Sequence, residues 1–269
     1  MANTNLRTDL LLDPFGARWP DVEVAARAAA EAGFDGIWTW DHLDGRVHGA
    51  PHVLECWTTL TAVAATVPHV QIGSLVLNAV NRHPGVLAAM ASTLQDVSEG
   101  RLLLGLGAGG GRDTPYASEQ HVIGRDVPGD APRRARLEAT IGELRRLWAT
   151  AGFRRPAPPP PVVVGGFGPK MAELAGRVAD GFNTQALHPR LEQLVTTARA
   201  ARAARADDAA TADDDFLISV FAGFDPRWLR DGAPARERLE QLGVTRLILL
   251  CSPPYDTTAI TEAARTMRT

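Results

Sequence analysis

The sequence has little of what would assign it to a specialised class. Only two cysteines, Cys56 and Cys251, occur in 269 residues, and they lie far apart. That argues against a disulfide-stapled secreted scaffold and for a reduced, cytoplasmic setting. The seven histidines lack the paired spacing of metal ligands, so no metal is expected. No apolar run approaches the length of a membrane span, and the opening MANTNLRTDLLLDPFG lacks the charged start and apolar stretch of a secretory leader. Net charge is −3 with no basic block, which makes nucleic acid a poor partner. The length suits one large α/β domain or two small ones, and a single domain over residues 1–269 is the expectation.

The positive signals start with the stretch from His69 to Gly111. Val70–Leu77 is a short apolar run between polar residues and predicts a buried strand. Pro84 opens a helix, with Arg82 or His83 before it, and Val86, Leu87, Met90, Leu94 and Val97 recur as its apolar face. Gly100 ends that helix, and Leu102–Leu106 is a second buried strand that runs into Gly107-Ala-Gly-Gly-Gly. Strand, helix and strand in this order make a right-handed parallel unit.

The alternation extends along the chain. Further strands are predicted at Asp9–Leu12, Gly36–Trp40, Val162–Val164, Gly181–Thr184, Phe216–Phe221 and Arg246–Leu250. Helices are predicted between them, the last at about Asp256–Met267, and Ala206–Asp215 reads as an acidic loop. Eight strands alternating with eight helices predict an α/β fold closed as a (β/α)8 TIM barrel, with an open doubly wound sheet as the alternative. The segment Gly107–Ala131 reads as a long loop of lid type, carrying Tyr116, Glu119, His121 and Arg125.

In such a barrel the site lies at the carboxyl ends of the strands. There the sequence places Asp13, Asp41 and His42, Leu75 to Asn78, Gly107 to Gly111, Gly165 to Lys170, Asn183 and Thr184, and Cys251 and Ser252. Glycines at strand ends let a flat or anionic group approach the backbone. Gly165-Gly-Phe-Gly-Pro-Lys170 opens a helix, whose N–H groups suit a phosphate. Trp38 and Trp40 flank Thr39 and share one side of their strand, where packing is expected.

Three segments carry a family resemblance: GFDGIWTWDH, then GSLVLNAVNRHPGVLAAMASTLQDVSEGRLLLGLGAG, then VVVGGFGPKMAELAGRVADGFNT. In this order they resemble the bacterial luciferase-like barrel oxidoreductases, over Gly33 to Thr184. The resemblance implies a luciferase-like barrel with short insertions and a hydride transfer between deazaflavin coenzyme F420 and a small organic substrate. It also implies a homodimer. A reduced-FMN monooxygenase fed by a separate reductase is the alternative, and a flavin-binding barrel without turnover is a third. Asp41-His42 and Arg82-His83-Pro84 look more like the deazaflavin branch.

Carried onto matching positions, the resemblance makes His42 and Asp41 the catalytic pair. His42 would be the proton donor or base. It assigns the cofactor to Asp41, Ser74, Leu75, Val76 and Asn78, with a bulge and a cis Leu75–Val76 bond behind the ring. Gly107, Ala108 and Gly109 would line the ring or ribityl chain, and Gly165, Gly166, Phe167, Gly168, Pro169 and Lys170 the phosphate. The sequence also departs from the pattern. Gly109, Gly110 and Gly111 stand where some deazaflavin dehydrogenases carry a glutamate. Asp44 replaces an aromatic residue of sugar-phosphate dehydrogenases, which points away from sugar-phosphate oxidation.

Overall fold

The computed structural model describes residues 6–205, 216–230 and 232–266. Nine strand segments pair in parallel: β1 (Arg7–Leu12), β2 (Gly36–Thr39), β3 (Gln71–Ser74), β4 (Leu77–Asn78), β5 (Leu102–Gly107), β6 (Val162–Gly165), β7 (Gly181–Gln185), β8 (Leu217–Gly223) and β9 (Arg246–Cys251). Their order is β3-β2-β1-β9-β8-β7-β6-β5-β4, and β3 also pairs with β5. β3 and β4 are two halves of one interrupted strand, so the sheet closes as an eight-stranded barrel. The open-sheet alternative is excluded.

Helices α1 (Trp19–Ala32), α2 (Cys56–Thr66), α3 (Pro84–Val97), α5 (Asp130–Trp148), α6 (Pro169–Val178), α7 (Leu191–Ala203), α8 (Pro234–Gln241) and α9 (Thr257–Thr266) follow the strands in turn. Their ends are marked as the sequence suggests. Pro20, Pro84, Pro169 and Pro234 stand in first turns, where the missing N–H is not needed. Gly33 closes α1 at φ 96°, a conformation that favours glycine. The expected acidic loop 206–215, the opening five residues and Met267 lie outside the described residues.

Two expectations need correction. The segment after β5 is not structureless, since it holds a short helix, α4 (Ala117–Val122). The buried face of α3 is also rotated from the predicted one. Leu87, Ala88, Ala91 and Leu94 pack inward, while Val86 and Val97 are exposed. Small alanines let α3 lie close to the sheet, and the larger valines turn outward.

The strand interruption builds the floor of the barrel mouth. Ile72 pairs with Leu102, and Leu77 with Leu106, so five steps along β3–β4 face four along β5. The extra residue is a bulge, and the Leu75–Val76 peptide within it is cis. β5 accommodates the bulge with glycine. A Cβ on Gly105 would stand 1.8 Å from the Ser74 carbonyl oxygen.

Inside the barrel, Leu11, Trp38, Leu75, Leu103 and Ile248 form a layer separate from the larger core under the helices. Trp38 lies across Gly73, where a Cβ would stand 2.3 Å from the indole. Below that layer Asp9 accepts from Trp38 Nε1 at 2.6 Å and pairs with Arg246. Burial pushes the Asp9 carboxyl up, and Arg246 opposes that shift. This end is sealed, and the opposite end carries the site.

Candidate active site

A cavity of about 640 Å³ opens at the carboxyl ends of the strands. Its floor is Leu75 and Val76, placed there by the bulge. Its walls are the tips of β2, β5, β6 and β7 together with α4 and the start of α5. The Val76 side chain fits between two glycine tips. A Cβ on Gly107 would meet Val76 Cγ2 at 2.5 Å, and one on Gly165 would meet Val76 Cγ1 at 2.8 Å. Further round, a Cβ on Gly109 would meet the Asn78 amide at 2.6 Å, and one on Gly166 would meet Met171 Cβ at 2.4 Å. Any side chain at these positions would displace its neighbours.

His42 follows the β2 tip and lines the cavity. Its Nδ1 lies 3.0 Å from both oxygens of Glu119. A carboxylate only accepts, so Nδ1 carries the proton. Nε2 has no hydrogen-bond partner among the described residues. Glu119 is nearly buried and also accepts the backbone N–H groups of Leu43 at 3.0 Å and Asp44 at 3.3 Å. α4 is thereby pinned to the loop after β2. Gln120 reinforces it by donating to Asn81 at 2.8 Å, and Arg125 does so by donating to the Val80 carbonyl.

Asp41 occupies a different environment. Its carboxylate is fully buried and takes both arms of Arg82 at 2.8 Å, plus the Asn78 N–H at 2.8 Å. Arg82 also reaches Glu55 at 2.5 Å. Burial alone would lower the Arg82 pKa, but the Asp41 hydrogen bonds and charge hold it above its usual range. Asp41 therefore ties β2 to β4 and is committed to Arg82. His83 caps α3 by accepting from Gly85 N–H at 3.1 Å.

The other predicted positions separate into three groups. Leu75, Val76, Asn78, Gly107, Ala108, Gly109, Gly165, Gly166 and Phe167 line the cavity together with Asp41 and His42. Ser74 lies beneath it, fully buried, with its hydroxyl donating to the Gly105 carbonyl at 2.8 Å. Gly168, Pro169 and Lys170 sit just outside, at the start of α6. The N–H groups of Phe167, Gly168 and Lys170 make no hydrogen bond among the described residues. His121 and Arg125 are exposed.

Several lining residues escaped the sequence reading. Trp40 packs on the inner layer that holds Trp38, but it also reaches the mouth, where it stacks on His48 with ring centroids 5.8 Å apart. Arg133 donates to the Ala108 carbonyl at 3.2 Å and to that of Gly109, holding the glycine run from the start of α5. Arg134 lines the cavity with no ion pair among the described residues. Lys170, the sequence's single lysine, stands at the same end.

A family profile described as luciferase-like monooxygenase matches residues 5–241. The chain belongs to the luciferase-like monooxygenase family. An F420-dependent glucose-6-phosphate dehydrogenase of Nakamurella multipartita is 34% identical to this luciferase-like chain over 175 residues, 59% of this chain and 50% of that protein. Another, from Beutenbergia cavernae, is 31% identical over 245 residues, 81% of this chain and 67% of that protein. The chain thus spans about half the length of the first of these relatives. A solved F420-dependent secondary alcohol dehydrogenase, in complex with an F420–acetone adduct, covers 98% of the chain at a TM-score of 0.80 and 18% identity. At that identity the likeness speaks for the luciferase-like fold. Among the described residues no helix is long and apolar enough to cross a membrane.

Proposed function

We propose that this luciferase-like barrel is an oxidoreductase that moves a hydride between deazaflavin coenzyme F420 and a small organic substrate. The observation that carries the proposal is His42, fixed through Nδ1 by Glu119 while Nε2 stays unpartnered at the wall of a glycine-tipped cavity.

The residues present fit the cofactor. Leu75 and Val76 offer an apolar floor for a flat ring, and Gly107, Ala108 and Gly109 leave the wall beside it without bulk. The free N–H groups at the start of α6, with Lys170 and Arg134 near them, suit an anionic tail. When bound, F420 supplies the hydride chemistry. The chain's own residues do the rest. Asn78 and Asp41, locked by Arg82, hold the β2 and β4 tips in register. The Glu119 carboxylate fixes the His42 tautomer, so that Nε2 accepts a proton when the ring is neutral and donates one when it is charged. A substrate hydroxyl proton passes to Nε2 in the oxidising direction and returns from it in the reducing direction.

The family description keeps a reduced-FMN monooxygenase as a second reading. A barrel that only stored its cofactor would not need a histidine held by a nearly buried carboxylate at the cavity wall. The test is anaerobic incubation of the purified protein with F420 and a panel of alcohols and ketones, following the deazaflavin absorbance. Bleaching or recovery with substrate supports the proposal. Product formation only with reduced FMN and oxygen contradicts it.

A further inference from the structure

Charge is unevenly distributed around the cavity. We infer from this that the substrate is an uncharged molecule with an apolar face, an alcohol or its carbonyl partner, and not a phosphorylated sugar. The inference rests on the deazaflavin reading, which assigns the cationic end to the cofactor.

At that end Arg133, Arg134 and Lys170 face one nearby carboxylate, Asp130, which pairs with Arg133 at 2.6 Å. The β2 end has the opposite balance. Asp41 and Glu55 share a single cation, Arg82. Asp44 and Arg46 offset each other. Glu119 adds a carboxylate whose partners are His42 and two backbone N–H groups. With His42 neutral, that side carries two more negative charges than positive ones. Asp41 and Glu119 are almost shut from water, so solvent screens them less than it screens surface charges. A phosphate dianion placed at the β2 end would meet carboxylates and no unpaired cation among the described residues that line that end, which strongly disfavours it.

The same end offers rings. His42 lies 5.4 Å from Tyr116 and 4.9 Å from Phe15 between ring centroids, and His48 lies 4.4 Å from Phe15 and 5.8 Å from Trp40. The Trp40 Nε1 and the Tyr116 hydroxyl make no hydrogen bond among the described residues, so each can serve a hydroxyl or carbonyl oxygen. Flat apolar faces with a few polar handles suit a neutral ligand. The glucose-6-phosphate named for two relatives is the ligand this arrangement excludes.

Calorimetric titration of the F420-loaded protein tests this, with 2-propanol, 2-butanol and cyclohexanol as neutral probes and glucose-6-phosphate as the anionic one. At least one neutral probe is expected to bind saturably, with glucose-6-phosphate weaker by about tenfold or more. The variant His48→Arg adds a cation at the mouth and is expected to raise glucose-6-phosphate binding by about tenfold at low salt. Equal or tighter binding of glucose-6-phosphate by the unaltered protein overturns the inference. So does failure of every neutral probe to bind. A separate titration with F420 alone keeps the two readings distinct. If F420 does not bind, the deazaflavin reading fails and the inference falls with it, because Arg133, Arg134 and Lys170 are then free for a phosphate. If F420 binds and glucose-6-phosphate still matches the neutral probes, the inference alone fails.

Discussion

The substitution Gly107→Ala isolates the contact that shapes the cavity floor. Gly107 is not in the left-handed region, so its backbone accepts alanine, and the effect is steric. The new methyl would stand 2.5 Å from Val76 Cγ2. Carbon atoms normally rest about 3.5–4.0 Å apart, so the overlap is about 1 Å or more. β5 is fixed by β4 on one side and β6 on the other, which leaves Val76 to move. Overpacking of this kind destabilises by about 1–3 kcal/mol. Val76 displaced upward also enters the space assigned to the ring, so F420 binding weakens along with stability. Val76→Ala removes both γ-methyls, and the pair Gly107→Ala/Val76→Ala is expected to recover at least about 1 kcal/mol relative to the sum of the single changes. Urea denaturation reads the stability and a fluorescence titration reads the binding. An equal loss from Gly107→Ala with and without the Val76→Ala change would refute the reasoning.

Four further outcomes are expected. His42→Ala keeps F420 binding and lowers turnover by about 10²–10⁴-fold, measured by deazaflavin absorbance. Glu119→Ala lowers turnover by roughly 10- to 100-fold through loss of a charge-assisted hydrogen bond, while Glu119→Gln, whose amide oxygen still accepts from Nδ1, loses less. Asp41→Asn leaves Arg82 with only the half-exposed Glu55 as a charge partner and destabilises by about 1.5–3 kcal/mol in urea denaturation. Bound F420 protects Lys170 from acylation, read by mass spectrometry of a chain with one lysine. Unchanged labelling would remove the tail from the start of α6.

The barrel was legible because its signals are local. Short apolar runs, prolines in first turns and glycines at helix ends mark each unit within a few residues. The bulge was legible only through family resemblance, since Leu75–Val76 differs in no visible way from other apolar dipeptides. The site's connections were harder to see because they are long-range. Glu119 meets His42 across 77 residues, and Arg82 meets Asp41 across 41. Nothing in either local sequence specifies those partners. α4 escaped because six residues show too little periodicity to register as a helix. Trp40 packs against the same inner cluster as Trp38, as strand alternation suggests, but it follows the end of β2 and so also lines the mouth, which the packing expectation did not include.

The central claim is that the glycine-tipped mouth is a deazaflavin site. Fluorescence titration of the purified protein with F420, repeated with FMN, tests it most directly. Saturable binding of one F420 per chain, with FMN weaker by about tenfold or more, is the result the account requires. Tight FMN binding with no F420 binding would contradict it.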